Sequence, residues 1–296
     1  MERNYFNPKL AVAIAILAIL GSVCSFSADD LSESPIELVR RTVQRETATG
    51  SGGTRAMFMD HKGTPQGSRT KLIVETSQGT AGMLVAIDNK ALSPAQREGE
   101  EARLEALINN PDGLKKKQKS EKEDAEHVTR IMKALPDAFL YEPEGTVAGS
   151  EEIGKPGDQL IRLKFRPNPN YNPPSHTEQV LSGMQGYILI DANQHRIAKI
   201  DGTLTKEVGF GWGILGHLDR GGHFLVEQAE VILGDWEITH MSLSFTGKEL
   251  LFKNINIKSD EVFSNFRPAP PHLTFAQGVD LLKKQQAELA ENQQRP

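Results

Sequence analysis

Between residues 184 and 266 the chain alternates apolar and polar positions in short runs separated by turn residues. Trp236, Ile238 and His240 interleave with Glu237, Thr239, Met241, Leu243 and Phe245. That is the period of two expected of a strand with two different faces. Gly, Asn and Asp in 191–195, 233–235 and 246–249 predict tight reversals. Strands joined by reversals this short pair antiparallel, because a parallel pair needs a long crossover. The stretch therefore predicts a broad antiparallel meander. Upstream, 55–61, 71–76 and 83–88 read as strands poor in aromatics, which places them at the sheet edge. Segments 137–141 and 159–165 resume the sheet.

Helical periodicity supplies the cover. Ser34-Pro35 opens a helix with Ile36, Val39 and Val43 on one side and Arg40, Arg41 and Arg45 on the other. Ser93 with Gln96 forms a capping box, with Pro94 at the first helical position, and the helix runs to about Asn109. A second helix over 114–134 carries Val128, Ile131, Met132 and Leu135 at helical spacing, behind a Lys/Glu-rich half with almost no apolar face. The prolines of 165–175 impose an extended connection. Thr274 with Gln277 caps a last helix bearing Phe275, Val279 and Leu282, which fades into polar residues 286–296 expected to be a disordered tail. The fold expected is α+β: a curved antiparallel β-sheet, a half-barrel, with an N-terminal helix and an inserted helical hairpin (93–135) packed against it, all in one domain over 28–285.

Charge and cysteine usage narrow the setting. The 296 residues carry a net charge of −5, and the one cysteine is Cys24. Residues 10–23 are an apolar run of 14 after a polar start. That falls short of the about 20 residues that span a bilayer but suits a signal peptide (1–27) cleaved after Ser27. A periplasmic or secreted protein is expected. Outer-membrane anchoring through Cys24 is the alternative, although Gly21-Ser22-Val23 lacks the lipobox pattern. Without residues 1–27 the chain holds no cysteine, hence no disulfide and no thiol nucleophile. The mild acidity argues against nucleic acid as a partner.

Candidate chemistry is sparse. Gly211-Trp-Gly213-Ile-Leu-Gly216 matches the dinucleotide fingerprint in letters, but His217 and a strand follow where that motif needs a helix. The glycines instead make a loop presenting Phe210, Trp212, Ile214 and Leu215, the candidate ligand-binding residues: a gate over an apolar ligand, or a plug in the sheet. His217, Asp219 and His223 have metal-capable side chains at short spacing, with His240 or Asp235 as conceivable additions. Turn polarity accounts for them, and no metal and no cofactor are expected. Ser51 lacks the strand–turn–helix setting of a nucleophile elbow, and no paired carboxylates stand out. No enzyme class follows.

Five segments carry a resemblance: 91–94, 136–141, 165–169, 208–216 with Gly221-Gly222, and 251–253. Through them the chain resembles an uncharacterised family of secreted bacterial proteins. More loosely, phrases such as 186–191 and the order of elements are similar to the outer-membrane lipoprotein carriers (LolA/LolB-like). In those carriers the concave inside of the sheet takes acyl chains. The resemblance implies a carrier-like protein of the bacterial envelope without catalysis, whose partner is a hydrophobic ligand or a lipoprotein acyl chain. The alternative is a structural or protein-interaction module whose cavity is filled by its own side chains and which docks an envelope protein. A metal-dependent hydrolase stands third.

Overall fold

The computed structural model describes residues 33–49, 54–210, 216–232, 234–249 and 253–294. In chain order these form α1 (Pro35–Thr49), β1 (Ala56–Thr64), β2 (Gly67–Thr76), β3 (Gly79–Ile87), β4 (Lys90–Ala91), α2 (Pro94–Ile108) and α3 (Pro111–Ala138). There follow β5 (Phe139–Ala148), β6 (Gln159–Pro167), the helical turn α4 (His176–Gln179), β7 (Met184–Asp191), β8 (Arg196–Leu204), β9 (Val208–Phe210) and β10 (Gly216–Leu218). The chain ends in β11 (His223–Ile232), β12 (Asp235–Glu249), β13 (Lys253–Pro268) and α5 (Phe275–Gln294).

The protein is α+β, built on one open antiparallel sheet of 13 strands in the order β4-β3-β2-β1-β13-β12-β11-β8-β7-β6-β5, with β9 and β10 branching from β12. The meander expected over 184–266 is present. Strand β13 then brings the chain back to β1, pairing Lys62 with Glu261 and Ala56 with Pro268. That return makes β1 and β2 interior strands, so the expectation of an edge is corrected for 55–61 and 71–76, while β3 does lie at the sheet's end, flanked on its outer side by the two-residue β4 alone. The pairing spans about two hundred residues of sequence, and no local composition announces it.

Paired rows fix which residues share a face. Lys62, Glu261, Met241, Val226, Ile200, Ile188 and Leu163 stand in one row. On this face α1 packs over β5–β8, where Leu38, Val39 and Val43 meet Leu163, Ile188, Ile190, Ile197 and Leu204. Thr42 is buried with them because its hydroxyl donates to the Leu38 carbonyl at 2.8 Å, inside its own helix. The C-terminal part of α3 joins this core through Ile131, Met132 and Leu135. Met57, Leu72 and Val74 point the other way, and there α2 and α5 build a second core with Leu104, Phe275, Val279 and Leu282. Each end of the sheet thus carries its helices on a different face, and the strands between are left half-covered and polar.

The local signals at helix starts hold. Ser93 and Gln96 make both bonds of the capping box, and Thr274 and Gln277 make the reciprocal pair ahead of α5. Asn110, read as a breaker, is also a cap: its side chain accepts from Gly113 N at 2.9 Å, so α3 starts at Pro111 rather than 114. It runs to Ala138, which moves the strand expected at 137 to Phe139. Helix α5 continues to Gln294 with Gln286 buried, past the boundary of 285. The turn expected at 246–249 is a correction of another kind, because β12 runs straight through it to Glu249. Gly247 serves close approach: a Cβ there would lie 2.1 Å from the His217 carbonyl oxygen of β10.

On the face away from α1 a ladder of charges crosses the central strands. Lys199 donates to Glu227 at 2.8 Å, and His240 contacts Glu227 at 3.0 Å and Asp260 at 2.9 Å. Burial alone would push the His240 pKa down, but the Asp260 and Glu227 carboxylates outweigh it and raise it. Two carboxylates on the two ring nitrogens favour the imidazolium, which donates from both.

On the opposite face Glu237 is pushed up to about 7, first by burial and then by Glu75 and Asp235, with Arg196 opposing. A carboxyl whose folded pKa exceeds its unfolded value binds its proton more tightly in the fold. Its contribution is therefore favourable below about pH 4.5 and is lost as pH rises from there through about 7. Glu237→Gln is expected to raise the melting temperature at about pH 8 and leave it nearly unchanged at about pH 4. Equal shifts at both pH values in a thermal scan would contradict this assignment.

Candidate functional site

The residues singled out in the sequence are only partly placed. Phe210 ends β9, its backbone paired with Gly216 of β10. Trp212, Ile214 and Leu215 lie outside the described residues. The face beneath β5–β8, where a carrier would hold an acyl chain, is occupied by α1 and α3. Three cavities open elsewhere among the described residues.

The first, about 640 Å³, opens between the start of α1, the α3–β5 junction and the extended segment after β6. It joins two segments that carry the family resemblance, since Phe139 pairs with Pro167, Leu140 with Arg166 and Tyr141 with Phe165. Tyr141 donates to the Leu135 carbonyl at 2.9 Å, and burial raises its pKa. Arg40, Arg166, Asp137 and Glu142 mix both signs of charge on the wall. The second, about 360 Å³, is polar and cationic, lined by Arg45, His195, Arg196 and Trp236. Its Arg196 is tied to Glu46 of α1 at 3.2 Å, and the guanidinium lies 5.8 Å from the Trp236 ring centroid.

The third mixes apolar and polar walls. A cavity of about 510 Å³ lies between β1, the end of β13 and the last turns of α5. Phe58, Met59, Leu72, Phe266 and Leu289 line it, with Asn265, Arg267, Gln285 and Glu288 as its polar residues. Its origin is a bulge. Met59 pairs with Ser264 but Met57 with Arg267, so Asn265 and Phe266 are accommodated opposite Phe58. Asn265 takes φ of 57°, which a short polar side chain tolerates better than a branched one. Phe266 stacks on Phe58 with centroids 5.2 Å apart, and Phe263 meets Phe58 edge-on at 6.0 Å. Leu289 on α5 remains 37% exposed, an uncovered apolar side chain on the helix side of the cavity. Its volume falls within the about 300–1,000 Å³ usual for a small-ligand site, and its walls offer both apolar and polar contacts.

Sequence reading missed this groove because its walls come from 58–72, 265–267 and 285–289, distant segments with no shared motif. The cluster Phe263, Asn265, Phe266 was the local signal, a bulge residue among aromatics. Of the metal-capable residues, His223 pairs with Asp201 at 3.0 Å, away from His217 and Asp219, which stay together at 3.3 Å. Among the described residues no helix is long and apolar enough to cross a membrane.

No protein-family model matches the chain, and no curated protein matches it. Among solved structures it is similar to a DUF1329 family protein from Desulfovibrio piger ATCC 29098, with 10% identity, 81% of this chain and 94% of that chain covered, and a TM-score of 0.25. Likeness at that level assigns no activity and no ligand.

Proposed function

We propose that this protein is a non-catalytic binding protein of the bacterial envelope, carrier-like in that it holds the acyl part of a lipid or lipoprotein, and that the chain enters the groove between β1, β13 and α5. The observation that carries the reading is the cavity of about 510 Å³ in which Phe58, Met59, Leu72, Phe266 and Leu289 stand with Asn265, Arg267, Gln285 and Glu288. An amphiphile fits such walls: the alkyl chain against Met59, Leu72 and Leu289, the head beside Arg267, Gln285 and Glu288. The face under α1 is filled by its own side chains, and the apolar segment 10–23 supports export as the setting.

Covering a half-exposed aromatic removes a large part of its about 150–250 Å² from water. At about 25 cal/mol per Å², the loss of one such wall amounts to about tenfold or more in affinity. Phe266→Ala is therefore expected to weaken palmitate binding by about tenfold, read as displacement of an environment-sensitive fluorophore. Palmitate binding unchanged by Phe266→Ala would remove the groove from the account. The core under α1 favours a second reading, a self-filled interaction module, and absence of fluorophore displacement by any long-chain amphiphile is its expected outcome.

A further inference from the structure

We propose that Glu207, His217 and Asp219 form a binding site for a divalent transition-metal ion of the zinc class. One ligand atom from each residue lies within 4.8 Å of the others. The His217 Nε2–Asp219 Oδ1 separation is 3.3 Å. Metal–ligand bonds of about 2.0–2.1 Å in tetrahedral geometry place neighbouring ligand atoms about 3.3–3.4 Å apart, so this pair already stands at the edge length such an ion requires.

The site is built from three places in the fold. Glu207 precedes β9, His217 lies in β10, and Asp219 follows it. Asp219 is fixed to β12 twice: its N–H donates to the Thr246 carbonyl at 2.9 Å, and the Thr246 hydroxyl donates to Oδ2 at 2.6 Å. That leaves Oδ1 turned to His217. Gly247 lets β12 approach the His217 backbone closely enough for this. A partner that orients a ligating carboxylate from outside the ligand set is a regular part of metal sites.

The donor set selects the ion. One imidazole and two carboxylates suit zinc and its neighbours, whereas calcium and magnesium take oxygen donors alone. A simple His217–Asp219 ion pair would not bring a second carboxylate to the same point. Glu207 is exposed and His217 and Asp219 are partly buried, so an ion would be held at the sheet surface. Lys206 beside Glu207 and Lys248 opposite His217 in β12 keep the surroundings from being uniformly negative, so loose accumulation of hard cations is not expected. Three protein ligands leave at least one position open for water or for a donor atom of a bound molecule. A bound ion would tie the ends of the β9–β10 hairpin to β12.

The test uses the full chain freed of metal by a chelator, then titrated calorimetrically with zinc chloride. One equivalent is expected to bind and to raise the melting temperature. His217→Ala and Asp219→Asn are expected to weaken binding by at least about a hundredfold, and Thr246→Val by about tenfold. His223→Ala, whose residue pairs with Asp201, is expected to bind as the wild type does. Absence of stoichiometric zinc binding to the wild type, or equal binding by His217→Ala, overturns the site. Should a variant fail to fold, histidine NMR of the wild type decides. One equivalent of zinc must move the His217 ring resonances and leave those of His223 and His240 in place. Any other pattern rejects the assignment.

Discussion

Phe275→Ala is expected to cost the fold about 3–5 kcal/mol, as truncation of a fully buried aromatic does. The side chain is 1% exposed, at the start of α5, packed in the core that holds Met57, Val74, Ala81 and Leu282. Its backbone N–H donates to Gln78 Oε1 at 2.9 Å, so the same residue anchors the helix to the β2–β3 turn. Losing it leaves a cavity where a rigid sheet and a helix start prevent collapse. The consequence reaches the groove, because α5 contributes Gln285, Glu288 and Leu289 to its wall. Denaturant unfolding should show a lower midpoint, with palmitate binding weakened in the same variant. A loss under about 1 kcal/mol would mean that α5 is not held by this core.

The second large effect concerns Glu46 and Arg196. Both side chains are 10% exposed, and they meet at 3.2 Å where α1 reaches the start of β8. Glu46 also accepts from the Ile197 N–H at 2.8 Å. Burial raises the Glu46 pKa and Arg196 only partly offsets it, so desolvation dominates the pair. Removing one member strands the other: Glu46→Ala is expected to cost about 3–5 kcal/mol. The double replacement Glu46→Leu with Arg196→Met is expected to recover most of that, because a buried pair contributes little net stability over apolar residues of similar size. A double-mutant cycle checks it. Equal additive losses from both changes would show that the residues act independently.

What was legible in the sequence was local. Capping residues Ser93 and Thr274 act within one element and hold; the alternation from Trp236 to Phe245 makes one strand as expected, but a bulge at Thr239 breaks its period of two. What escaped was non-local. Gly247 looks like a turn residue because glycine's commonest role is a turn, yet here its missing side chain admits another strand. Segment 55–88 looks like an edge because its strands are poor in aromatics, yet β13 arrives to pair with β1 from two hundred residues away. Asn110 looks like a breaker because Pro and Gly follow it, yet its side chain caps α3. At the metal-capable cluster, two ligands two residues apart were visible, while Glu207 enters only through the β9–β10 pairing. The groove has no motif at all, since its composition is distributed over three segments that meet only in the fold.

The most direct test of the account is native mass spectrometry of the protein extracted without detergent from the cells that make it, compared with Leu289→Arg. Leu289 is partly exposed, so the substitution should leave folding nearly intact while placing a cation at the mouth of the groove. The account predicts a single lipid adduct on the wild-type protein that is lost from the variant. No adduct on either protein, or the same adduct on both, would contradict it.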